Sequence, residues 1–161
     1  MTTTRWLTTS QQQAWRALNV ITNRGLPQLE VTFRDNDMLR VEYGILVALS
    51  EAPDSEMSLS ELADHANTSQ SRLSHRLRGL IDQGEVSSRA CESDRRVTYA
   101  QLTKAGRNKL EAVAPQHAED VLQLLFDHLN TDQTEGLADA LSTIAATLCS
   151  HDEYHAPKVG G

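Results

Sequence analysis

The chain has 161 residues, 39% of them apolar, and a formal net charge of −7 at pH 7. This length predicts a single domain over 1–161, and no run of about 18 apolar residues predicts a membrane span. The amino terminus lacks the apolar segment of a signal peptide, so a cytoplasmic location is expected. Cys91 and Cys149 fit neither a disulfide framework nor the ligand spacing of a zinc site.

Positive charge is concentrated in the middle of the chain. Residues 58–109 contain nine lysines and arginines and six acids, a balance of +3. The remaining residues contain six basic and sixteen acidic side chains, a balance of −10. A basic segment on an acidic body is typical of a protein that presents one lobe to nucleic acid. The negative net charge therefore does not exclude DNA binding.

Apolar residues at helical spacing predict helices on both sides of this basic segment. The first predicted helix covers 10–33, with a kink or break near Gly25 and Pro27. A second covers 41–50. A third begins after Ser58, which has the capping-box pattern with a glutamate three residues later.

The fourth predicted helix, residues 68–83, has one apolar and one basic face. Leu73, Leu77 and Leu80 recur at i, i+4 and i+7 and predict a buried stripe, and Gly84 predicts a left-handed end. The opposite face carries side chains that can hydrogen-bond base edges or pair with phosphates, namely Ser69, Gln70, Ser71, Arg72, Ser74, His75, Arg76 and Arg78. An ordinary amphipathic surface helix would have the same apolar stripe, so the flanking sequence must decide the function.

Two strands are predicted next, over 86–90 and 97–102, with a polar tip that contains Asp94, Arg95 and Arg96. Two helices joined by a tight turn and followed by a hairpin with a basic tip predict a winged helix-turn-helix. Thr103 and Asn130 can cap two long final helices. Their apolar stripes exceed what the winged lobe needs, which favours burial against a second copy of the chain.

The fold class that follows is mainly α with a small β-hairpin. A winged helix-turn-helix lobe covers 58–103, and a helical dimerisation region combines 10–33 with 104–149. The motifs resemble those of the multiple-antibiotic-resistance regulator (MarR) family of bacterial transcription factors. Leu62-Ala63, the segment from Ser71 to His75, and Gly84 fit the helix-turn-helix pattern of that family. The stretch from Asp94 to Gly106 fits the wing signature D-x-R-x5-L-T-x-x-G.

The resemblance covers 15–148 and implies an obligate homodimer built from the first, fifth and sixth helices. It also implies that Arg96 enters the minor groove, that Asp94 holds the wing in shape, and that a small aromatic or anionic effector binds between the dimerisation helices and the lobe. Trp15 and Tyr43 are expected in the core or in the wall of that pocket. The chain departs from the family at Gly79, where a larger and often basic residue is usual, and at Glu85, where an apolar residue is usual.

The sequence therefore predicts a homodimeric regulator that reads an inverted-repeat operator in double-stranded DNA, most simply as a repressor released by an effector. No cofactor or metal is expected, because the metal-ligand residue types at 151–155 lie in a terminal tail. Patterns of nucleophilic, nucleotide-binding and zinc enzymes are absent from the sequence, so it is not expected to be an enzyme. A protein–protein adaptor with a winged fold and a thiol-based redox regulator that uses Cys91 or Cys149 remain as alternatives.

Overall fold

The computed structural model describes residues 4–66, 69–91, 94 and 96–148, without the side chain of Gln70. The amino-terminal helical region contains α1 (Thr9–Val20), a π-helical turn (Ile21–Gly25), a 3-10 turn (Leu26–Leu29) and α2 (Glu30–Asp35). The break predicted near Gly25 and Pro27 is confirmed. Pro27 falls in the first turn of the 3-10 segment, where its missing N–H removes no hydrogen bond. A Cβ on Gly25 would lie 3.2 Å from Leu124, so the chain passes close to a later helix at this point.

The lobe that follows contains α3 (Arg40–Glu51), β1 (Glu56–Ser58), α4 (Leu59–His65), α5 (Gln70–Asp82), β2 (Val86–Ala90) and β3 (Thr98–Leu102). The capping box predicted at the start of α4 is present, since the Ser58 hydroxyl accepts a hydrogen bond from the Glu61 amide and the Glu61 carboxylate accepts one from the Ser58 amide. This confirms the predicted helix start.

The hairpin predicted from the sequence is part of a three-stranded antiparallel sheet with the order β1-β3-β2. Strand β1 pairs Met57 with Ala100, and β2 pairs Ser88 with the same residue from the other side. The sequence did not predict β1, because three residues are too few to show an alternating pattern. Its pairing with β3 attaches the hairpin to the chain segment that leads into α4.

The leucine stripe of α5 forms the centre of the hydrophobic core. Leu73, Leu77 and Leu80 are 0%, 3% and 1% exposed, as the spacing predicted. They belong to one buried cluster with apolar residues of α3, α4, β3 and the helix after the sheet. Burying a leucine side chain stabilises a fold by about 1.5–3 kcal/mol. The stripe therefore fixes which face of α5 remains exposed.

The last two helices are α6 (Lys104–Leu124) and α7 (Thr131–Leu148). Thr103 caps α6 and Asn130 caps α7, each through a side-chain oxygen that accepts a backbone N–H, as predicted. Helix α6 runs through Pro115 as one element. None of the helices within the described residues is long and apolar enough to span a membrane.

Candidate nucleic-acid interface

The amino-terminal end of helix α5 is exposed to solvent. Ser69 caps it by accepting a hydrogen bond from the amide of Arg72. The sequence placed the start at Thr68, and the structure places the first helical residue at Gln70. The unpaired N–H groups of this first turn and the helix dipole favour a negatively charged partner such as phosphate.

The exposed face of α5 is basic. The side chains that the sequence singled out and that the structure describes on this helix are all exposed: Ser71, Arg72, Ser74, His75, Arg76 and Arg78. Among the described residues, no ion pair involves Arg72, Arg76 or Arg78. Their guanidinium groups can therefore pair with an external anion or base edge without breaking an internal contact.

The wing carries Arg96, which Asp94 holds in place. Asp94 accepts hydrogen bonds from the backbone N, the Nε and the Nη2 of Arg96, each at 3.0 Å. The hydrogen bond from the Arg96 side chain, followed by the one from its backbone, lowers the pKa of Asp94. The Arg96 side chain is 91% exposed, so this pair adds little stability but fixes the direction of the guanidinium. Arg95 lies outside the described residues.

The base of the wing is held by a cluster that crosses all three strands. The Nε of Arg89, on β2, lies 2.8 Å from Oε2 of Glu56 on β1. The Arg89 guanidinium also lies 4.9 Å from the ring centroid of Tyr99 on β3, within cation–π range. Sequence reasoning missed this cluster, because Arg89 and Glu56 are 33 residues apart.

A cavity of about 830 Å³ lies beside the amino-terminal half of α5. One wall is basic and contains Arg40, Arg72 and Arg76. Another part of the lining is aromatic, because Phe33, Tyr43 and His117 pack together with ring centroids 4.8–5.1 Å apart. A flat molecule with a negative charge would find both a stacking surface and a partner for its charge.

His117 is the polar member of the aromatic wall. Its Nδ1 is buried and has no hydrogen-bond partner in the described part of the chain. Burial lowers the pKa of His117, and the nearby carboxylate of Asp120 opposes part of that effect. Burial also raises the pKa of Tyr43, with a further contribution from Glu51. Both side chains therefore favour their neutral forms at neutral pH.

Of the two aromatic residues predicted at a pocket, Tyr43 lines this cavity and Trp15 does not. Trp15 lies on α1 with 58% of its surface exposed. The expected core or pocket-wall position of Trp15 is not seen in the single chain and stays a prediction. Helix α1 contains no buried residue.

Comparisons with known proteins agree with this architecture. A model of the MarR family matches residues 36–97, which include α3, α4, α5 and β2. The crystal structure of AbsC, a MarR family transcriptional regulator from Streptomyces coelicolor, is 36% identical in sequence. That comparison covers 92% of this chain and 100% of AbsC, with a TM-score of 0.84. The chain belongs to the MarR family.

Two further relatives support the assignment of this MarR family protein. Sco3205, a MarR family transcriptional regulator from Streptomyces coelicolor whose structure contains DNA, is 35% identical over 96% of this chain and 97% of its own, with a TM-score of 0.85. The transcriptional repressor YetL of Bacillus subtilis is 27% identical over 105 residues, which are 65% of this chain. The match spans 63% of the length of YetL. Proteins of the MarR family regulate transcription and are not enzymes. The predictions of a transcriptional regulator and of a protein that is not an enzyme are therefore confirmed.

The structure gives a physical reason for the glycine that ends the wing signature. A Cβ on Gly106 would lie 2.1 Å from the carbonyl oxygen of Glu85 and 2.8 Å from Cδ1 of Leu102. The first turn of α6 therefore lies directly against the segment that follows α5. Thr103 binds the same segment, since its hydroxyl donates a hydrogen bond to the Gly84 carbonyl oxygen at 2.7 Å. The same hydroxyl caps α6. In this MarR protein the signature joins the wing, α5 and α6.

Proposed function

We propose that this MarR family regulator binds double-stranded DNA as a homodimer and represses transcription in the cytoplasm until an effector releases it. The exposed face of α5 carries the proposal, because it presents three arginines that no described acid neutralises. The likeness to Sco3205, whose structure contains DNA, supports the same conclusion.

The roles of the two basic elements follow from what each groove offers. The amino-terminal half of α5 enters the major groove, where Gln70 can read adenine and Arg72 or Arg76 can read guanine. Ser74 and His75 supply secondary contacts, while Ser69 and Arg78 bind the backbone. Arg96, oriented by Asp94, enters the minor groove, where a narrow A·T-rich segment concentrates negative potential. Arg95 adds charge at the same tip.

The homodimer is supported by apolar side chains that remain exposed on α1 and α7. No residue of α1 or of α7, both described along their whole length, is buried. Leu18 on α1 is 44% exposed, and Ile144 and Leu148 on α7 are 55% and 78% exposed. Two helices with such surfaces are stabilised when a second copy covers them. A two-fold dimer places two copies of α5 on successive major grooves, which fits an inverted-repeat operator.

The effector is a small aromatic or anionic molecule that binds in the cavity beside α5. Its ring packs against Tyr43 and His117, and its charge pairs with Arg72 or Arg76. By filling the space between α5 and the α2–α6 side, it favours a spacing of the lobes that the operator does not fit. Full switching requires a preference of about 5.5 kcal/mol for that spacing.

The test compares Arg72→Ala with Arg96→Ala on a panel of single-base operator variants at several salt concentrations. Arg72→Ala should relax specificity at one position of each half-site, by about 1–3 kcal/mol. Arg96→Ala should weaken binding to all variants together and lower the salt slope by about one unit per half-site. Arg5→Ala removes one exposed charge ahead of α1 and serves as the matched control.

The opposite pattern would contradict the assignment of α5 to the major groove and the wing to the minor groove. If none of the variants changed binding to any DNA, the winged fold would serve as a protein–protein adaptor instead.

A further inference from the structure

The end of α5 is attached to α6 by an ion pair at a position where an apolar residue is the rule. Helix α5 ends with hydrogen bonds from Gly84 N to Ile81 O and from Glu85 N to Leu80 O, each 2.9 Å long. Gly84 has a φ of +72°, as this Schellman arrangement requires. The residue after the glycine usually makes an apolar contact with the preceding turn. Here that residue is Glu85.

Glu85 is buried in spite of its charge. The residue is 7% exposed, and its Oε1 lies 2.6 Å from Nζ of Lys109 on α6. The other carboxylate oxygen, Oε2, is buried and accepts no hydrogen bond from the described residues. The backbone of Glu85 is held as well, because its carbonyl oxygen accepts the amide of Thr103 at 3.1 Å. The ion pair and these backbone hydrogen bonds of Glu85 thus join it to the segment that opens α6.

The side chain of Glu85 is 9% exposed and that of Lys109 is 26% exposed. Such a pair contributes little net stability, because the cost of removing the carboxylate and part of the ammonium group from water offsets their attraction. The pair instead fixes the orientation of α5 relative to α6, since a hydrogen-bonded charge pair tolerates less displacement than an apolar contact. It connects the carboxyl end of the helix that reads DNA to a helix of the dimerisation region. A change in the angle between α5 and α6 moves one copy of α5 relative to the other in the dimer.

We infer that the Glu85–Lys109 pair is a positioning joint that sets the separation of the two DNA-reading helices and hence the half-site spacing that the dimer accepts. The inference rests on the proposed function, because it requires a dimer that reads two half-sites. Neither residue touches DNA in this account. Both act through the orientation of α5.

The experiment measures affinity for operators whose half-sites are one base pair closer, unchanged, or one base pair further apart. The double variant Glu85→Leu/Lys109→Met removes both charges and restores the apolar contact, so it is expected to fold. It should reduce the preference for the best spacing by about three- to tenfold. Lys109→Arg keeps the pair and should retain the spacing preference. Lys104→Met removes an exposed charge from the same helix and is the matched control.

A second measurement does not depend on DNA. Spin labels on Arg78→Cys, with Cys91 and Cys149 replaced by serine, report the distance between the two copies of α5 in the free dimer. The double variant should broaden that distance distribution, while Lys109→Arg should not. An unchanged distribution together with an unchanged spacing preference would overturn the joint. If the natural protein dimerises but binds no DNA, the proposed function fails and the claim about half-site spacing fails with it, while the spin-label distances still decide whether the pair sets the separation of the two copies of α5.

Discussion

Replacing Gly106 with alanine should destabilise the protein, although alanine is the better helix former. The added Cβ would lie 2.1 Å from the Glu85 carbonyl oxygen, about 1.3 Å short of an ordinary contact of 3.4 Å. That oxygen belongs to the backbone and cannot rotate away. The first turn of α6 must therefore move from the end of α5, and the hydrogen bonds from Thr103 to the same oxygen are lost.

The magnitude follows from three contributions. Overpacking of this kind costs about 1–3 kcal/mol, and each lost hydrogen bond costs about 1 kcal/mol. The helix propensity gained by replacing glycine with alanine returns about 1 kcal/mol. The net loss in free energy of unfolding is about 2–4 kcal/mol. In a chain of this size it corresponds to a Tm lower by about 5–15 °C.

Gly79→Ala is the control, since nothing lies within 4 Å of the Cβ that it adds to α5. It should raise the free energy of unfolding by about 0.5–1 kcal/mol. The assay is thermal unfolding followed by circular dichroism at one fixed protein concentration, because dimerisation makes Tm depend on concentration. Equal stability of Gly106→Ala and the natural protein would refute the close contact between α6 and Glu85.

Three further outcomes are expected. Sedimentation at micromolar concentration should give about twice the chain mass of 17.8 kDa, and Ile144→Glu on α7 should shift the mass towards a monomer; a folded, stable monomer of the natural chain would argue against the dimer. Burial lowers the pKa of His117 below 6.5 in the folded chain, so the unfolded chain binds more protons, and the stability of the natural protein falls as pH drops from 6.5 through the lower folded pKa. His117→Phe should therefore gain Tm relative to the natural protein between pH 7.5 and 5.5, and a constant difference in Tm would count against this. With Cys91 and Cys149 both replaced by serine, DNA binding should match that of the natural protein with and without peroxide; thiol-reversible loss confined to the natural protein would instead support redox sensing.

Local patterns in the sequence predicted the helices of the lobe because each depends on nearby residues. The leucine stripe of α5 and the cap at Ser58 are defined within one or two turns, and both are confirmed. Strand β1 was missed because its pairing with β3 lies more than 40 residues away in sequence. The start of α5 was predicted at Thr68, because Thr68 and Ser69 are both plausible caps in the sequence. In the structure Ser69 accepts the amide of Arg72 and is the cap.

The candidate site divides in the same way. Arg72 and Arg96 were identified from residue type and spacing, and the structure places both side chains at exposed positions. The Glu56–Arg89–Tyr99 cluster and the Glu85–Lys109 pair join residues from separate elements, so no local sequence pattern predicts these contacts. Glu85 did give a signal, because a charged residue after the helix-ending glycine is unusual, but its partner could be found only in three dimensions.

Selection of bound fragments from a pool of random double-stranded DNA tests the central claim most directly. Two copies of α5 related by a two-fold axis should enrich an inverted repeat whose half-sites lie about one helical turn apart, ~10 base pairs from centre to centre. Arg72→Ala in the same selection should lose information at one position of each half-site. Recovery of no common sequence, or of one short asymmetric site, would contradict the account of a dimeric, sequence-specific DNA-binding regulator.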